Sequence, residues 1–227
     1  LASAARRAGT LAIPFVQRLN QQVAAVSEQA ARYVHFGATS QDVTDTAVAL
    51  CAVSAARRIE ELAQRAGDAA ADLAHRHART PTLARTLLQP AHPVPFGWKA
   101  AVWLSLLTRA YSGFRRAASE ACVLQLGGAG GTLSAFADRG DAVAGALADE
   151  LALAKPSITW HSARDRFARF GAEAAILAGA AGKIARDISL LMQPEVGEVS
   201  EPAGAGRGGS SSMPHKRNPA GSLLALE

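Results

Sequence analysis

Cysteine, aromatic residues and long apolar runs are all scarce in this sequence. Its 227 residues include two cysteines, Cys51 and Cys122, which lie far apart and form no C-x-x-C pair. Their apolar neighbours favour reduced thiols within a core over a disulfide or a metal site. No apolar run is long enough to cross a bilayer and no signal peptide is visible, so we expect a cytoplasmic protein that does not bind membranes.

The low aromatic content also argues against a β-sandwich. Aromatic residues make up 5% of the chain, whereas 49% is hydrophobic and consists mostly of alanine, leucine and valine. This composition suits closely packed helices. We therefore predict an all-α fold, a bundle of long helices joined by Gly- and Pro-rich loops, with no strand and no internal repeat.

Positive charge is not concentrated in any segment. The 24 Lys and Arg residues exceed the 19 Asp and Glu residues by five, but they are scattered along the chain. Nucleic acid, an anionic small substrate or an arginine-rich composition alone would each explain this excess. Because the sequence has no recognisable reading element or aromatic stacking platform, we expect no nucleic-acid partner.

Periodicity predicts four long helices. The first begins near Thr39, where Thr39 and Asp42 match an N-terminal capping pattern, and ends before Thr80. The others are expected at 97–122, at 141–154 and after Ser162. Ser162 is a suitable N-cap for the last helix, whose apolar face is expected to run through Ile176, Ala180, Ile184, Ile188 and Leu191. The prolines at positions 90, 93 and 95 predict an extended connector between the first two helices.

The stretch "GAGRGGSSSMPHKRNP", Gly204 to Pro219, is called the signature loop below. Its glycines and serines encode neither helix nor strand. Gly204, Gly206 and Gly209 match G-x-G-x-x-G, but no strand precedes them and no helix opens at Gly209, which argues against dinucleotide binding. The loop ends in adjacent cations and an amide suited to holding a carboxylate. We interpret it as part of a gated active site that is mobile without ligand.

Two further loops are rich in small polar groups. They are "HFGATSQD" at 35–42 and "RTLLQPAHP" at 85–93. Each also has a purely structural explanation, since Thr39 could only cap a helix and Gln89 could only satisfy backbone groups beside the prolines. The residues alone leave both explanations open.

Together the three segments resemble the fumarase/aspartase superfamily. "GSSSMPHKRNP" is similar to its signature Gly-Ser-Ser-x-Met-Pro-x-Lys-x-Asn, and "HFGATSQDVTDT" and "RTLLQPAHPVPFG" look like its other two active-site segments, in the expected order. The resemblance implies a homotetramer whose sites each combine segments from three subunits, acting on a small polycarboxylate by reversible β-elimination. We expect no metal and no cofactor.

The resemblance also implies roles for individual residues. Ser210 would be the general base, with Ser211 as the neighbouring candidate. The substrate would be held by a larger set: Thr39, Ser40, Thr86, Gln89, Arg207, Lys216 and Asn218. Serine needs nearby positive charge or backbone N–H groups to become an alkoxide, and an ionised intermediate needs fixed donors. No role is assigned to His215, and a catalytic role for His92 stays open.

The residue at position 87 helps to assign this chain to a branch of the superfamily. Adenylosuccinate lyases share the sequence of the signature loop but carry a histidine where this chain has Leu87. They also carry an upstream His-Asp pair at the positions where this chain has Thr10 and Leu11. The wider motifs resemble the lactone-forming cycloisomerases of protocatechuate catabolism, in which a tethered substrate carboxylate adds to a diene and no acid is needed for a leaving amine. An adenylosuccinate-type lyase and a non-catalytic helical oligomer are the alternatives.

The ends of the chain resemble the interiors of helices. We expect residues 1–227 to form the central helical-bundle domain of a longer protein, with flanking N- and C-terminal regions missing and the activity of the piece open.

Overall fold

The computed structural model describes residues 1–202, 204 and 206–227, and helices dominate this part of the chain. The helices are α1 (Ala2–Ala8), α2 (Ala12–Val26), α3 (Glu28–Ala31), α4 (Ser40–Arg76), α5 (Phe96–Ala121), α6 (Gly140–Glu150), α7 (Asp165–Leu191) and α8 (Ala220–Leu224), with a 3-10 turn at Ser134–Arg139. The predicted all-α class is confirmed, apart from one hairpin of β1 (Pro81–Thr86) and β2 (Gln89–Pro95).

Residue contacts divide the chain into two compact units. The first unit comprises residues 1–58 and 116–170, and the second comprises residues 59–115 and 171–227. Of the helices in the described residues, none is both long and apolar enough to cross a membrane.

Three of the four predicted helices agree with α4, α5 and α7, but α6 ends four residues early. The chain leaves the helix because Ala152 has a positive φ of 51°. Ala154 then pairs with the segment after α5, where its N–H donates to Cys122 O at 3.1 Å and its carbonyl accepts from Leu124 N at 2.9 Å. Ser162, which we expected to cap α7, lies three residues before the helix begins.

The first unit has a core of small and aliphatic side chains: Ala49, Leu124, Leu126, Ala144, Ala148 and Leu153. Cys122 packs against this core, as expected, but Cys51 is exposed. The prediction for Cys51 was wrong because the buried face of α4 here runs through Ala49, Ala52 and Ala56, and position 51 lies off that face at helical spacing.

In the second unit, Phe96, Ala100, Trp103 and Leu191 form the core. Trp103 also donates its indole N–H to Asp187 Oδ2 at 2.7 Å, which joins α5 to α7. The predicted apolar face of α7 is only partly buried, since Ile176 is 54% exposed.

The expectation of no strand was wrong for the proline-rich connector. β1 and β2 pair antiparallel, with Leu83 opposite Pro93 and Thr86 opposite Gln89. A two-stranded hairpin consists only of edge strands, so prolines can stand where no ladder N–H is required. A bulge between Leu83 and Arg85 absorbs the remaining irregularity.

Candidate active site

The first segment forms the N-terminus of α4 in the first unit. Thr39 precedes the helix and Ser40 is its first residue. The backbone N–H of Thr39 donates to Asp42 Oδ2 at 2.9 Å, so the acidic half of the predicted capping pattern is present. Gly37, in the turn before the helix, has a φ of 68°, and a Cβ there would lie 2.5 Å from the Phe136 ring. Only glycine fits this turn without strain.

Asp42 does more than cap the helix, because its buried carboxylate organises a second loop. It accepts from Gly127 N at 3.0 Å, from Gly128 N at 2.9 Å and from Gln125 Nε2 at 3.1 Å. His161 Nε2 lies 2.6 Å from the same carboxylate. Asp42 is 3% exposed, and a carboxylate so placed must be fully hydrogen-bonded to be tolerated. It thereby fixes Thr39 relative to residues 125–128.

A second buried carboxylate lies one turn further along α4. Asp45 accepts two hydrogen bonds from the Arg164 guanidinium, at 2.7 and 2.8 Å, and one from Gln41 Nε2 at 2.9 Å. The guanidinium also lies 5.4 Å from the ring centroids of Trp160 and Phe167. The hydrogen bond with Asp45 raises the pKa of Arg164, and this charged guanidinium holds the start of α4 against the chain before α7.

The second segment is the tip of the β-hairpin in the second unit. Thr86 and Gln89 face each other at the ends of the strands. Between them Leu87 and Leu88 form the turn with positive φ angles of 49° and 65°, and they are 96% and 71% exposed. Such turns normally use asparagine and glycine. Two leucines in the left-handed region store strain at an exposed tip, which is typical of functional sites.

Glu198 anchors this hairpin from the segment that leads to the signature loop. Its carboxylate accepts from Arg85 at 2.7 Å, from Thr82 Oγ1 at 2.6 Å and from Lys99 Nζ at 3.3 Å. The hydrogen bond from Arg85, against the cost of burial and helped by Thr82 and Lys99, lowers the pKa of Glu198 to about 2. The carboxylate is therefore ionised at neutral pH and fixes the hairpin near the base of the loop.

A cavity of about 570 Å³ opens beside the hairpin. Basic and aromatic side chains line much of it: Arg85, His92, Lys99, Lys183, Trp98 and Trp103. Arg85 and Lys99 are paired with Glu198, and Lys183 contacts Asp187. His92 thus lies on the wall of a cavity of mixed charge, and nothing in its surroundings assigns it a catalytic role.

Hydrogen bonds between its two sides hold the signature loop together. Asn218 N donates to Gly208 O at 2.7 Å, and the Asn218 side-chain amide donates to Gly209 O at 3.1 Å. Gly208 has a φ of 65°, and a Cβ there would lie 2.7 Å from Asn218 O, so glycine is required at this close approach. Lys216 and Arg207 are exposed. The expectation that Gly204–Ser212 moves without ligand stays a prediction, and Ala205 lies outside the described residues.

The two candidate serines differ in their surroundings. Ser210 Oγ accepts from Met213 N at 3.1 Å and from Ser212 N at 3.4 Å, and Ser210 is half-buried. Ser211 is exposed. Two N–H groups aimed at one hydroxyl oxygen are the arrangement that stabilises an oxygen when it becomes negative.

Within the second unit, Glu198 joins the hairpin to the segment that precedes the signature loop, whereas the first segment belongs to the first unit. No hydrogen bond links Ser210 to Thr86 or Gln89 in the part of the chain that the structure describes. Nor do three His, Cys, Asp or Glu side chains of the described residues gather as metal ligands.

Several polar residues of these segments are not predicted from the sequence: Asp45, Gln125, His161, Arg164 and Glu198. Asp42 and Asp45 do lie three apart near one helix start, which is a weak signal of a shared face. Their partners Gln125, His161 and Arg164 are 83 to 119 residues away along the chain. Nothing in the local pattern marks those partners.

Comparison with known proteins decides the family. Residues 7–225 match the family model described as "Lyase". The chain belongs to this lyase family. The resemblance to the fumarase/aspartase superfamily that the three motifs indicate is thereby confirmed.

Within the lyase family, 3-carboxy-cis,cis-muconate cycloisomerase of Bradyrhizobium diazoefficiens is 52% identical over 226 residues, covering 100% of this chain and 50% of that protein. Nitrosuccinate lyase of Streptomyces davaonensis is 45% identical, covering 96% of this chain and 48% of that protein. The crystal structure of 3-carboxy-cis,cis-muconate lactonizing enzyme from Pseudomonas putida matches with a TM-score of 0.90 and 43% identity, over 100% of this chain and 50% of that one. This chain thus spans about half the length of these relatives.

Proposed function

We propose that this chain carries the catalytic segments of a cycloisomerase that interconverts 3-carboxy-cis,cis-muconate and 4-carboxymuconolactone, a step of protocatechuate catabolism. The observation that carries the proposal is the hydrogen bonding of Ser210, whose Oγ accepts from two backbone N–H groups. The choice of substrate rests on the relatives named above and on the hairpin tip, where leucine stands in place of an imidazole.

In the lactonising direction, one substrate carboxylate oxygen forms a C–O bond with a carbon of the diene. The electron pair of the attacked double bond moves to the carbon beside another carboxylate. That carboxylate thereby becomes an ionised aci-carboxylate. That carbon takes its proton from the Ser210 hydroxyl, and the resulting alkoxide is stabilised by the N–H groups of Ser212 and Met213. Solvent then restores the proton. In reverse, the Ser210 alkoxide removes the same proton.

The carboxylates of the substrate need cations and amide donors. Lys216 and Arg207 are exposed cations on the same loop as Ser210, and both are proposed to bind the substrate. Asn218 gives one hydrogen bond to Gly209 O, and the rest of its amide is proposed to bind the substrate. Thr39, Ser40, Thr86 and Gln89 are proposed to contribute further hydrogen bonds.

We propose that the whole protein is a cytoplasmic homotetramer whose shared sites bring the first segment, the hairpin and the signature loop together from three subunits. Large apolar side chains exposed on the long helices support burial against other copies, among them Leu62, Val102 and Ile176, which are 44%, 45% and 54% exposed.

A lyase that expels a nitrogen group is the second candidate, and the similarity to nitrosuccinate lyase is what favours it. Adenylosuccinate-type chemistry is disfavoured by Leu87, which cannot protonate a leaving nitrogen. A non-catalytic helical oligomer would have no physical reason to keep a Gly-rich loop with Ser210 held by two amides.

The test is an ultraviolet assay of the full-length gene product with 3-carboxy-cis,cis-muconate, following loss of the conjugated diene. Adenylosuccinate and nitrosuccinate are assayed in parallel. Turnover of the muconate alone is the expected result. Turnover of adenylosuccinate or nitrosuccinate instead would show that the protein is a C–N lyase. Inactivity with all three compounds would favour the non-catalytic oligomer.

A further inference from the structure

The signature loop is closed at its two ends by a single carboxylate. Glu201, just before the loop, accepts from Gly221 N at 2.9 Å, from Ser222 N at 2.7 Å and from Ser222 Oγ at 2.6 Å. Gly221 and Ser222 follow the loop at the start of α8. We call this group of three residues the Glu201 clasp.

The fit of the clasp is tight. A Cβ on Gly221 would lie 3.1 to 3.4 Å from the three atoms of the Glu201 carboxylate, so only glycine lets the carboxylate approach without displacement. Ser222 is 5% exposed, and its hydroxyl and backbone N–H both donate to Glu201. Burial would raise the pKa of Glu201, but the hydrogen bonds from Ser222 and Gly221 and the charge of Arg207 outweigh it, so the pKa is lowered.

The clasp is followed by a second set of contacts inside the loop. Three residues before Gly221, Asn218 binds Gly208 and Gly209 through its backbone and side chain. Gly209 is bonded directly to Ser210, whose Oγ is held by the amides of Ser212 and Met213. The position of Ser210 thus depends on Asn218, and the position of Asn218 on where the chain is held at Gly221 and Ser222.

We propose that Glu201 is a positioning residue for the signature loop: by binding Gly221 and Ser222 it fixes Asn218 and, through it, Ser210 in the geometry that proton transfer requires. Glu201 does not itself touch the substrate. This inference rests on the proposed function for its effect on turnover, but the clasp itself is a property of the loop that is measurable without any substrate.

The experiment uses the full-length enzyme with Glu201→Gln. A glutamine keeps the size of the side chain but turns an N–H₂ group toward the donors of Gly221 and Ser222, so the clasp loses hydrogen bonds. We expect kcat to fall on the order of 10- to 100-fold because a small displacement of a reacting group has such effects. The rise in KM is expected to be smaller than the fall in kcat, because Asn218 is the one proposed substrate-binding residue that the loss of the clasp displaces directly. Ser222→Ala, which removes only the hydroxyl donor, gives a smaller loss of kcat.

Trypsin supplies the readout that is independent of activity. Arg207, Lys216 and Arg217 are cleavage sites inside the loop, and all three are exposed. Glu201→Gln is expected to speed cleavage at these sites relative to the wild type, while cleavage elsewhere is unchanged. Glu195→Gln is the matched control, because Glu195 is exposed on the same approach to the loop and its replacement leaves both kcat and loop cleavage as in the wild type.

The outcomes separate the two proposals. If the wild type turns over the muconate and Glu201→Gln retains its kcat, the positioning role is overturned. If the wild type is inactive, the proposed function fails, while faster loop cleavage in Glu201→Gln still supports the clasp and unchanged cleavage overturns it. Should Glu201→Gln not fold, the decision passes to Ser222→Ala, for which unchanged kcat and unchanged cleavage reject the clasp.

Discussion

Replacing Glu198 with glutamine removes the charge that holds the hairpin to the base of the signature loop. The wild-type carboxylate binds Arg85, Thr82 and Lys99 and its side chain is 16% exposed. In Glu198→Gln the Arg85 guanidinium loses its ion partner in a partly buried position, where the unpaired charge is costly. We expect a less stable protein at neutral pH and a change in how its stability depends on pH.

The magnitude follows from the pKa of Glu198, which is lowered from 4.5 to about 2. One pKa unit corresponds to about 1.4 kcal/mol, so the ionised carboxylate contributes about 3 kcal/mol to the free energy of unfolding at neutral pH. Because the pKa is lower in the folded state, this contribution is complete above the unfolded pKa of 4.5 and is lost as the pH falls toward 2. About 2 kcal/mol of it is lost by pH 3.

Urea denaturation of the full-length protein, followed by far-ultraviolet circular dichroism between pH 7 and pH 3, measures the effect. The difference in free energy of unfolding between the wild type and Glu198→Gln should shrink by about 2 kcal/mol over this range. Glu195→Gln is the control, and its difference from the wild type should stay small throughout. A difference for Glu198→Gln that did not change with pH would refute the assignment of this carboxylate as the ionised anchor.

Three other substitutions have defined outcomes. In Asp42→Asn, one of the two carboxylate oxygens that accept five contacts becomes an N–H₂ donor. Urea denaturation should show that the free energy of unfolding falls by about 2 to 4 kcal/mol. Asp138→Asn, at an exposed position, should leave it nearly unchanged. Gly37→Ala puts a methyl group against Phe136 at a positive φ and should cost about 1 to 2 kcal/mol; an unchanged denaturation midpoint would argue against the turn described. Leu88→Gly relieves a left-handed leucine and should stabilise the protein by about 1 kcal/mol, an expectation that a lower melting temperature would contradict.

The long helices were predictable because their information is local. Apolar spacing and the capping pattern at Thr39 and Asp42 fix the start of α4, and α5 lies within one residue of its predicted bounds. The hairpin was not predicted because prolines at 90, 93 and 95 remove ladder donors, which argues against a strand in any sheet with more than two strands. The decisive feature, a tight turn at two leucines, carries none of the usual turn residues.

For the candidate site, the sequence supports predictions only where a motif is contiguous. The signature loop indicates Ser210, and a serine base is expected to need nearby N–H groups. Which amides supply those N–H groups depends on the fold of the loop. The contacts of the buried carboxylates Asp42 and Asp45 with His161 and Arg164 each join residues 119 positions apart. Such partners are set by the packing of the chain, which local spacing does not encode.

Ser210 is proposed to be the proton donor of a cycloisomerase. The measurement that tests it most directly is diene loss from 3-carboxy-cis,cis-muconate in the full-length enzyme, compared among the wild type, Ser210→Ala and Ser211→Ala. We expect Ser210→Ala to lose at least about 100-fold in kcat, while the kcat of Ser211→Ala stays close to that of the wild type. Near wild-type turnover by Ser210→Ala, with loss of activity in Ser211→Ala, would contradict it.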